Sequence, residues 1–578
     1  MNPIFRNSLS LKHWGRRLKS ACRLLLAGQI QDLLRRSLAL LKKTFSRKKK
    51  IDYKSWREKW VLLNEKEKKQ LVKLISLMEQ KPYFEIFIDP KNCKISHLKT
   101  SLNSLLDQHF DQWSVHLIAN HNCEKELRSL VKELDDQRIQ FFEKMPTKPD
   151  SWYLQIQPGD LLHEVALFAL ADAANNNRKA LVIYTDNDHL SPSGSSIDPF
   201  MKPDWNPDLL AGTNYFSSLT TFKSSLWEKH FYDSADPHEL AIKATKDLLP
   251  DQILHIPFVL TSIRVPDSNS HLTPPTVRVN YQLPDPLPKV SVLIPTKNQG
   301  KLLKRCIASL CTITDYPDFE IVIVDHETTE KKARVFIDSL KSEKNVLVTE
   351  FCGEFNFSAQ INQAAEKATG EIFVLLNNDT EIIEANWLTE LIMQVARPEV
   401  GIAGALLLFG NETIQHAGIH PGIGGLMSHG HKHLGKNSSG YFSRLKVAHE
   451  VMAVTGACLA IKSSTWKQLG GLDAQNLPVA YNDVDLCMRS RKMGLRVIFT
   501  PHAKVVHHES VSRGFDDNAK KTKRLMKEVA VISERWGELL YYDPAYSPNL
   551  SFEGDGFQLA DTPRTKSVLG NANKDYEI

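Results

Sequence analysis

A spacing that occurs twice constrains this chain more than any other feature. Phe84 to Ser114 spans 30 positions and links two short apolar runs, and Val290 to Glu320 spans 30 positions and does the same. The next apolar run falls 55 positions on in the first copy, at Ile139, and 56 positions on in the second, at Val346. Between the runs, residues 98–106 and 302–310 carry apolar side chains at helical spacing. Apolar runs alternating with helices call for parallel strands joined by crossover helices, and a repeat at this scale calls for two domains of one architecture. The expected fold is α/β, with two tandem Rossmann-like domains on mostly parallel sheets.

A chain of 578 residues is too long for one core, and its composition suggests where it divides. Residues 1–50 hold fourteen Lys or Arg against one acid, Asp32, so this arm carries +13 of a net +6 and the remainder is acidic. Leucines among the arginines make it a basic amphipathic helix suited to an anionic membrane surface. No recognised nucleic-acid motif accompanies the charge, so no nucleic-acid partner is expected. Residues 53–80 read as one helix and open a first domain over 51–264. Pro266, Pro274, Pro275, Pro284, Pro286 and Pro288 mark 265–289 as a linker. A second domain over 290–550 and a tail over 551–578 follow. No apolar run approaches the ~18 residues that cross a bilayer. The eight cysteines include no C-x-x-C pair, which points to a reducing compartment.

Chemistry concentrates in the second copy. Residues 372–380 read Ile-Phe-Val-Leu-Leu-Asn-Asn-Asp-Thr, a buried strand stopping at Asn377, Asn378 and Asp379. Pro295 and Asn298 follow the first strand of this copy, and Asp325 ends the second. Ligands of open α/β sheets sit beyond the carboxyl ends of the strands, so three polar ends on one rim describe a nucleotide site. Asp483 stands at an expected helix start, ahead of an i,i+4 pair, Asp485 and Arg489. His507 and His508 follow a strand-like run and can either fill a turn or bind a metal. The glycine- and histidine-rich residues 415–433 read as a loop able to act as a lid.

Taken together, the blocks at 290–298, Asp325, 375–380, 414–418, 454–458, 482–486, 507–510 and 543–550 resemble the family 2 glycosyltransferases, and most closely large bacterial enzymes of O-antigen and rhamnan-type polysaccharide synthesis. The resemblance implies a GT-A fold. It implies an inverting enzyme that moves a sugar, rhamnose or another hexose, from a nucleotide-diphosphate sugar to a glycan or lipid-linked glycan acceptor such as O-antigen. It further implies a divalent cofactor, Mg²⁺ or Mn²⁺, on Asp379 with His507 or His508. Pro295, Asn298, Asp325, Asn377, Asn378 and Asp379 would bind the nucleotide sugar, and Asp483 would be the general base. The expected location is cytoplasmic, peripheral on the inner membrane.

The first copy resembles the family more faintly, at 184–188, 202–210 and 255–257. Gln157-Pro158-Gly159-Asp160 stands where the second copy has Leu376-Asn377-Asn378-Asp379, and Pro237 falls opposite Asp483. This domain is expected to fold like a transferase and transfer nothing, serving acceptor binding or scaffolding. The alternative reading is a carbohydrate-binding or scaffolding protein with both domains inactive.

Overall fold

The computed structural model describes residues 51–91, 93–118, 124–142, 148–231, 236–265, 275–424, 426–508, 519–554, 556–565 and 567–569. The basic arm expected at 1–50 lies outside them. The chain forms two compact units, residues 1–52 with 514–526 and residues 53–513 with 527–578. Of the first unit, only 51–52 and 519–526 are among the described residues, and the account below concerns the second.

The single helix expected over 53–80 is two, α1 (Tyr53–Trp60) and another over Glu65–Leu77. Asn64 divides them, because its side chain accepts from the backbone N–H groups of Lys66 and Glu67 while the Glu67 side chain accepts from Asn64 N–H. That reciprocal cap begins a new helix where apolar spacing alone runs on.

The first sheet contains β1 (Phe84–Ile88), β2 (Trp113–Ile118), β3 (Ile139–Phe142), β4 (Trp152–Ile156), β5 (Leu161–Leu162), β6 (Val182–Leu190), β7 (Ser196–Phe200), β8 (Thr221–Lys223) and β9 (Ile253–Arg264). The second contains β10 (Val290–Thr296), β11 (Phe319–Asp325), β12 (Val346–Glu350), β13 (Ile372–Leu376), β14 (Thr380–Ile382), β15 (Val400–Leu408) and β16 (Ile414–His416). After a separate hairpin of β17 (Ile419–Pro421) and β18 (Met427–His429), it resumes with β19 (His449–Glu450), β20 (Cys458–Lys462) and β21 (Arg496–His507).

The two sheets repeat one another strand by strand. The first runs β3-β2-β1-β4-β8-β6-β9-β5 and the second β12-β11-β10-β13-β20-β15-β21-β14. Phe84 lies opposite Trp113 and Val290 opposite Phe319, the same offset. Each sheet starts with four parallel strands, continues through an antiparallel strand (β8 or β20), and ends on a short antiparallel edge (β5 or β14). The central strands β1, β10 and β13 are buried along their whole length, as runs without polar alternation require when both faces are covered. Apolar side chains pack on both faces of the second sheet, around Leu293, Phe373 and Phe499 on one and Val292, Val374 and Trp387 on the other.

The sheets are locked together. Asp208, at the start of α2 (Pro207–Gly212), is buried and accepts two hydrogen bonds from Arg397 (2.6 and 3.1 Å), one from Tyr281 (2.5 Å) and another from Arg496. The surrounding arginines hold the Asp208 carboxyl below its ordinary range although burial opposes this. Residues 275–289 of the proline-rich segment are packed rather than loose: Val277 N–H donates to Gly212 (2.8 Å), and Leu283 and Leu287 lie against the second core. The C-terminal segment also crosses between the sheets. Arg444 donates to the Ala545 carbonyl (2.6 Å), Asn549 donates to Asp186 (3.1 Å), and Trp56 donates to the Ala560 carbonyl (2.8 Å).

Candidate active site

Because β11, β10 and β13 are adjacent and parallel, their carboxyl ends share one rim. Asn298 and Gln299 both adopt positive φ (56° and 54°), which turns the chain sharply from β10 into α3 (Gly300–Ile313). The Asn298 side chain then accepts from Thr329 N–H (2.8 Å) and Glu330 N–H (2.9 Å), tying the loop after β10 to the loop after β11. Asp325 is buried at that second loop, accepting from Thr328 N–H (3.2 Å) and from Arg334 (3.0 Å). Asn378 donates to Thr296 Oγ1 (2.8 Å), joining the end of β13 to the end of β10. Pro295, Asn298, Asp325, Asn377, Asn378 and Asp379 thus line one edge.

Pairing of β14 with β21 puts Thr380 opposite His507 and so brings the end of β21 to Asp379. The Asp379 Oδ1 lies 3.1 Å from His507 Nε2. Gln415, on β16, determines which ring nitrogen carries the proton. Its Nε2 donates to the His507 carbonyl (3.3 Å), which leaves Oε1 facing His507 Nδ1 at 2.7 Å. Nδ1 therefore carries an N–H, which leaves Nε2, beside the Asp379 carboxylate and 3.2 Å from the Asn377 amide nitrogen, as the ring nitrogen that can bind a cation. One carboxylate oxygen and one imidazole nitrogen converging at this distance fit Mn²⁺ or Mg²⁺, which keep further positions for phosphate oxygens and water. Among the described residues, no group of three His, Cys, Asp or Glu converges as a complete metal cage. Successive residues of a strand alternate in direction, and His508 is aimed elsewhere, at Glu381 (2.8 Å) and Arg305 (3.2 Å).

Asp483 lies in the first turn of α4 (Asn482–Lys492). Its Oδ2 accepts from Gly456 N–H (2.8 Å) and its Oδ1 from Val484 N–H (2.8 Å). Burial raises its pKa, and these two donors work against the rise. Asn377 N–H donates to the Ala457 carbonyl (3.1 Å), so adjacent residues 456 and 457 touch Asp483 on one side and the Asp379 turn on the other. A Cβ on Gly456 would stand 3.3 Å from that of Asp483, so a side chain here would press on the carboxylate's seat. Asp485 takes no part in this arrangement: it is fully buried and bound by Arg489 (2.7 Å), Arg535 (3.1 Å) and Trp536 (3.0 Å).

The lid expected over 415–433 is instead packed structure. His416 and His420 are buried, and His416 Nε2 accepts from Thr455 N–H at 3.5 Å while its Nδ1 lies 2.7 Å from His429 Nδ1. Burial pushes His429 down to about 3 and His416 well below its ordinary value, so both are neutral. His420 binds Asp543 (2.8 Å), and His431 stacks on Phe557 with centroids 4.0 Å apart. Glycine suggests mobility in sequence, whereas here it permits close approach to aromatic rings. Sequence reasoning assigned no role to Gln415, Thr455 or Gly456, although each lay in a block that carried the family resemblance.

Register defines the equivalent site in the first sheet. Leu161 pairs with Ser262 as Thr380 pairs with His507, so Asp160 stands at the Asp379 position and serine at the histidine position. Asp160 is enclosed, accepting from Ser218 (2.8 Å) and Arg264 N–H (3.2 Å), and burial pushes it up to about 6. Nearby, Tyr53 and Arg57 of α1 reach Asp188 at 2.7 and 3.2 Å. Asp186 and Asp204 flank His255 at 2.9 and 3.0 Å, and against the cost of burial they raise it to about 9.

Residues 291–452, which contain the ends of β10, β11 and β13 but neither Asp483 nor His507, match the family model described as Glycosyl transferase family 2. Over those residues the chain is similar to the family 2 glycosyltransferases. The two sheets agree with the tandem α/β architecture expected from sequence. Over 549 residues the chain is 31% identical to a protein of Sinorhizobium fredii named "Uncharacterized protein y4gI", covering 86% of this chain and 60% of that one. Over 470 residues it is 30% identical to "O-antigen biosynthesis protein RfbC" of Myxococcus xanthus, covering 71% of this chain and 35% of that one. The chain therefore spans less than two thirds of the length of either relative. Among solved structures, it is similar to a mannosyltransferase of Pyrobaculum calidifontis at 19% identity and a TM-score of 0.32, covering 44% of this chain and 68% of that one.

Proposed function

We propose that the family 2 domain is an inverting glycosyltransferase moving a hexose, such as rhamnose, from a nucleotide-diphosphate sugar to a growing cell-surface glycan of the O-antigen kind. The observation that carries this reading is the short stretch 455–457. It holds Asp483 through Gly456 and the Asp379 turn through Ala457, which supports reading the two as a proton-accepting carboxylate and a diphosphate-binding end that serve one substrate.

The rim of Pro295, Asn298 and Asp325 receives the nucleoside, and Asn377, Asn378 and Asp379 face the diphosphate. Asp379 and His507 hold Mg²⁺ or Mn²⁺. When bound, the ion supplies positive charge to stabilise the departing diphosphate. Asp483 removes the proton from the acceptor hydroxyl as its oxygen attacks the anomeric carbon and the bond to the diphosphate breaks. A raised pKa brings this carboxylate nearer the operating pH, which favours a general base. One displacement inverts the anomeric centre and needs no enzyme nucleophile.

In this reading the first domain is non-catalytic, since Ser262 replaces the histidine and Asp160 is held by Ser218 and Arg264 N–H. It serves as a scaffold or acceptor-binding partner. The O-antigen assignment draws on the name of the Myxococcus xanthus relative. Attachment of the basic arm to the cytoplasmic face of the inner membrane completes the proposal. No helix among the described residues is long and apolar enough to cross a membrane.

The test is release of nucleoside diphosphate from a panel of sugar nucleotides, with and without Mn²⁺, by the full chain. Release dependent on Mn²⁺ and on Asp379 is expected. No release from any donor in the presence of an acceptor glycan extract would favour a binding role for both domains.

A further inference from the structure

We infer that Gln415 is a positioning residue that sets His507 in its metal-binding form. The inference rests on the reading of Asp379 and His507 as a cation site and extends it to a side chain that touches neither cation nor substrate.

A histidine binds a metal only through an unprotonated ring nitrogen, and the partner of the other nitrogen decides which one that is. Here the partner is an amide whose own orientation is fixed. Gln415 spends its N–H on the His507 carbonyl at 3.3 Å, so it can offer only its oxygen to Nδ1, 2.7 Å away. Nδ1 thus keeps its proton, and Nε2, the nitrogen left to bind a cation, is held 3.1 Å from Asp379. Both Gln415 and its hydrogen bond to the ring are buried. With water excluded, loss of the acceptor would leave Nδ1–H unpaired, and the ring would regain its other tautomer and its freedom to rotate.

The position of Gln415 makes the arrangement more than a local cap. It sits on β16, an edge strand that pairs with β15 across a register shift, and the next residue, His416, accepts from Thr455 N–H. Two consecutive residues of one short strand thus brace the histidine at the diphosphate end and the segment beneath Asp483.

The experiment measures Mn²⁺ binding by the purified full chain, by electron paramagnetic resonance or calorimetry, so its readout does not depend on turnover. Wild type is compared with Asp379→Ala, His507→Ala, Gln415→Leu and Gln415→Glu, with circular dichroism to confirm folding. Gln415→Leu keeps bulk and removes the acceptor, and Mn²⁺ affinity should fall about 10–100-fold, the usual cost of losing such a partner. Gln415→Glu keeps an oxygen facing Nδ1–H but loses the donor to the His507 carbonyl, so affinity should fall less than in Gln415→Leu, a carboxylate being able to serve the same second-layer role in metal sites. Binding that needs Asp379 and His507 but is unchanged in Gln415→Leu overturns the inference and leaves the cation site standing. Equal losses in the Leu and Glu variants also overturn it, because they would reflect packing. Mn²⁺ binding that does not depend on Asp379 overturns the cation site, and the inference with it.

Discussion

Replacing Asp483 by Asn separates chemistry from structure at this site, because the two effects differ in size and can be measured apart. The carboxylate accepts from Gly456 N–H at one oxygen and Val484 N–H at the other, both at 2.8 Å. An amide can satisfy only one of these donors and turns an NH₂ toward the other, which should cost about 1–3 kcal/mol of stability. Loss of a general base should lower turnover about 10²–10⁴-fold, equivalent to about 3–5 kcal/mol in the barrier. Nucleotide binding should change little, since Asn298 and Asp325 do not contact Asp483. The assay is nucleoside diphosphate release per folded molecule, with the folded fraction taken from denaturant titration and donor binding from calorimetry. pH supplies a second reading. Burial raises the Asp483 pKa above 3.8, so wild-type kcat/KM should fall as pH drops through that raised value, and the Asn variant should lack this limb. Turnover within tenfold of wild type, or an unchanged acid limb, would refute the assignment of Asp483 as the base.

Three other outcomes are expected. Asp208→Asn removes the anion shared by Arg397 and Arg496, whose side chains are only 8% and 18% exposed, and should lower stability by about 3–5 kcal/mol, read as a reduced denaturant midpoint. Asp160→Asn should leave sugar transfer unchanged while altering the pH dependence of stability. The wild-type carboxyl, raised from 3.8 to about 6, contributes stability that is fully present below pH 3.8 and lost as pH rises through about 6, so the wild-type curve should show a loss of up to about 3 kcal/mol that the variant lacks. Tyr53→Phe should destabilise the fold by about 1 kcal/mol by removing a hydrogen bond to Asp188, with no effect on Mn²⁺ binding to the second domain.

Much of this architecture was legible because strands and helices announce themselves through short-range periodicity. The runs at 84–88 and 290–296 became central buried strands, and Asp379 stood at a strand end because the apolar run stopped there. Asp485 and Arg489 formed the local pair that helical spacing implied. Boundaries were less legible. The expected strand at 496–500 runs on to His507, with register shifts in its pairing to β15, and Asn64 broke a helix that apolar spacing alone would continue. The supposed lid misled because glycine and histidine have the same composition whether they line a loop or pack against Phe557 and Asp543.

The sequence by itself determined that the chain is a duplicated α/β protein, and that the second copy kept carboxylates at its strand ends while the first lost some of them. Only the tertiary structure decided that His507 rather than His508 meets Asp379, that Gln415 fixes its proton, and that one stretch joins Asp379 to Asp483. The physical reason is distance along the chain. Element type follows from neighbours a few residues away, whereas β14 and β21 meet across more than a hundred residues, and a shift of one position in their register would exchange the two histidines.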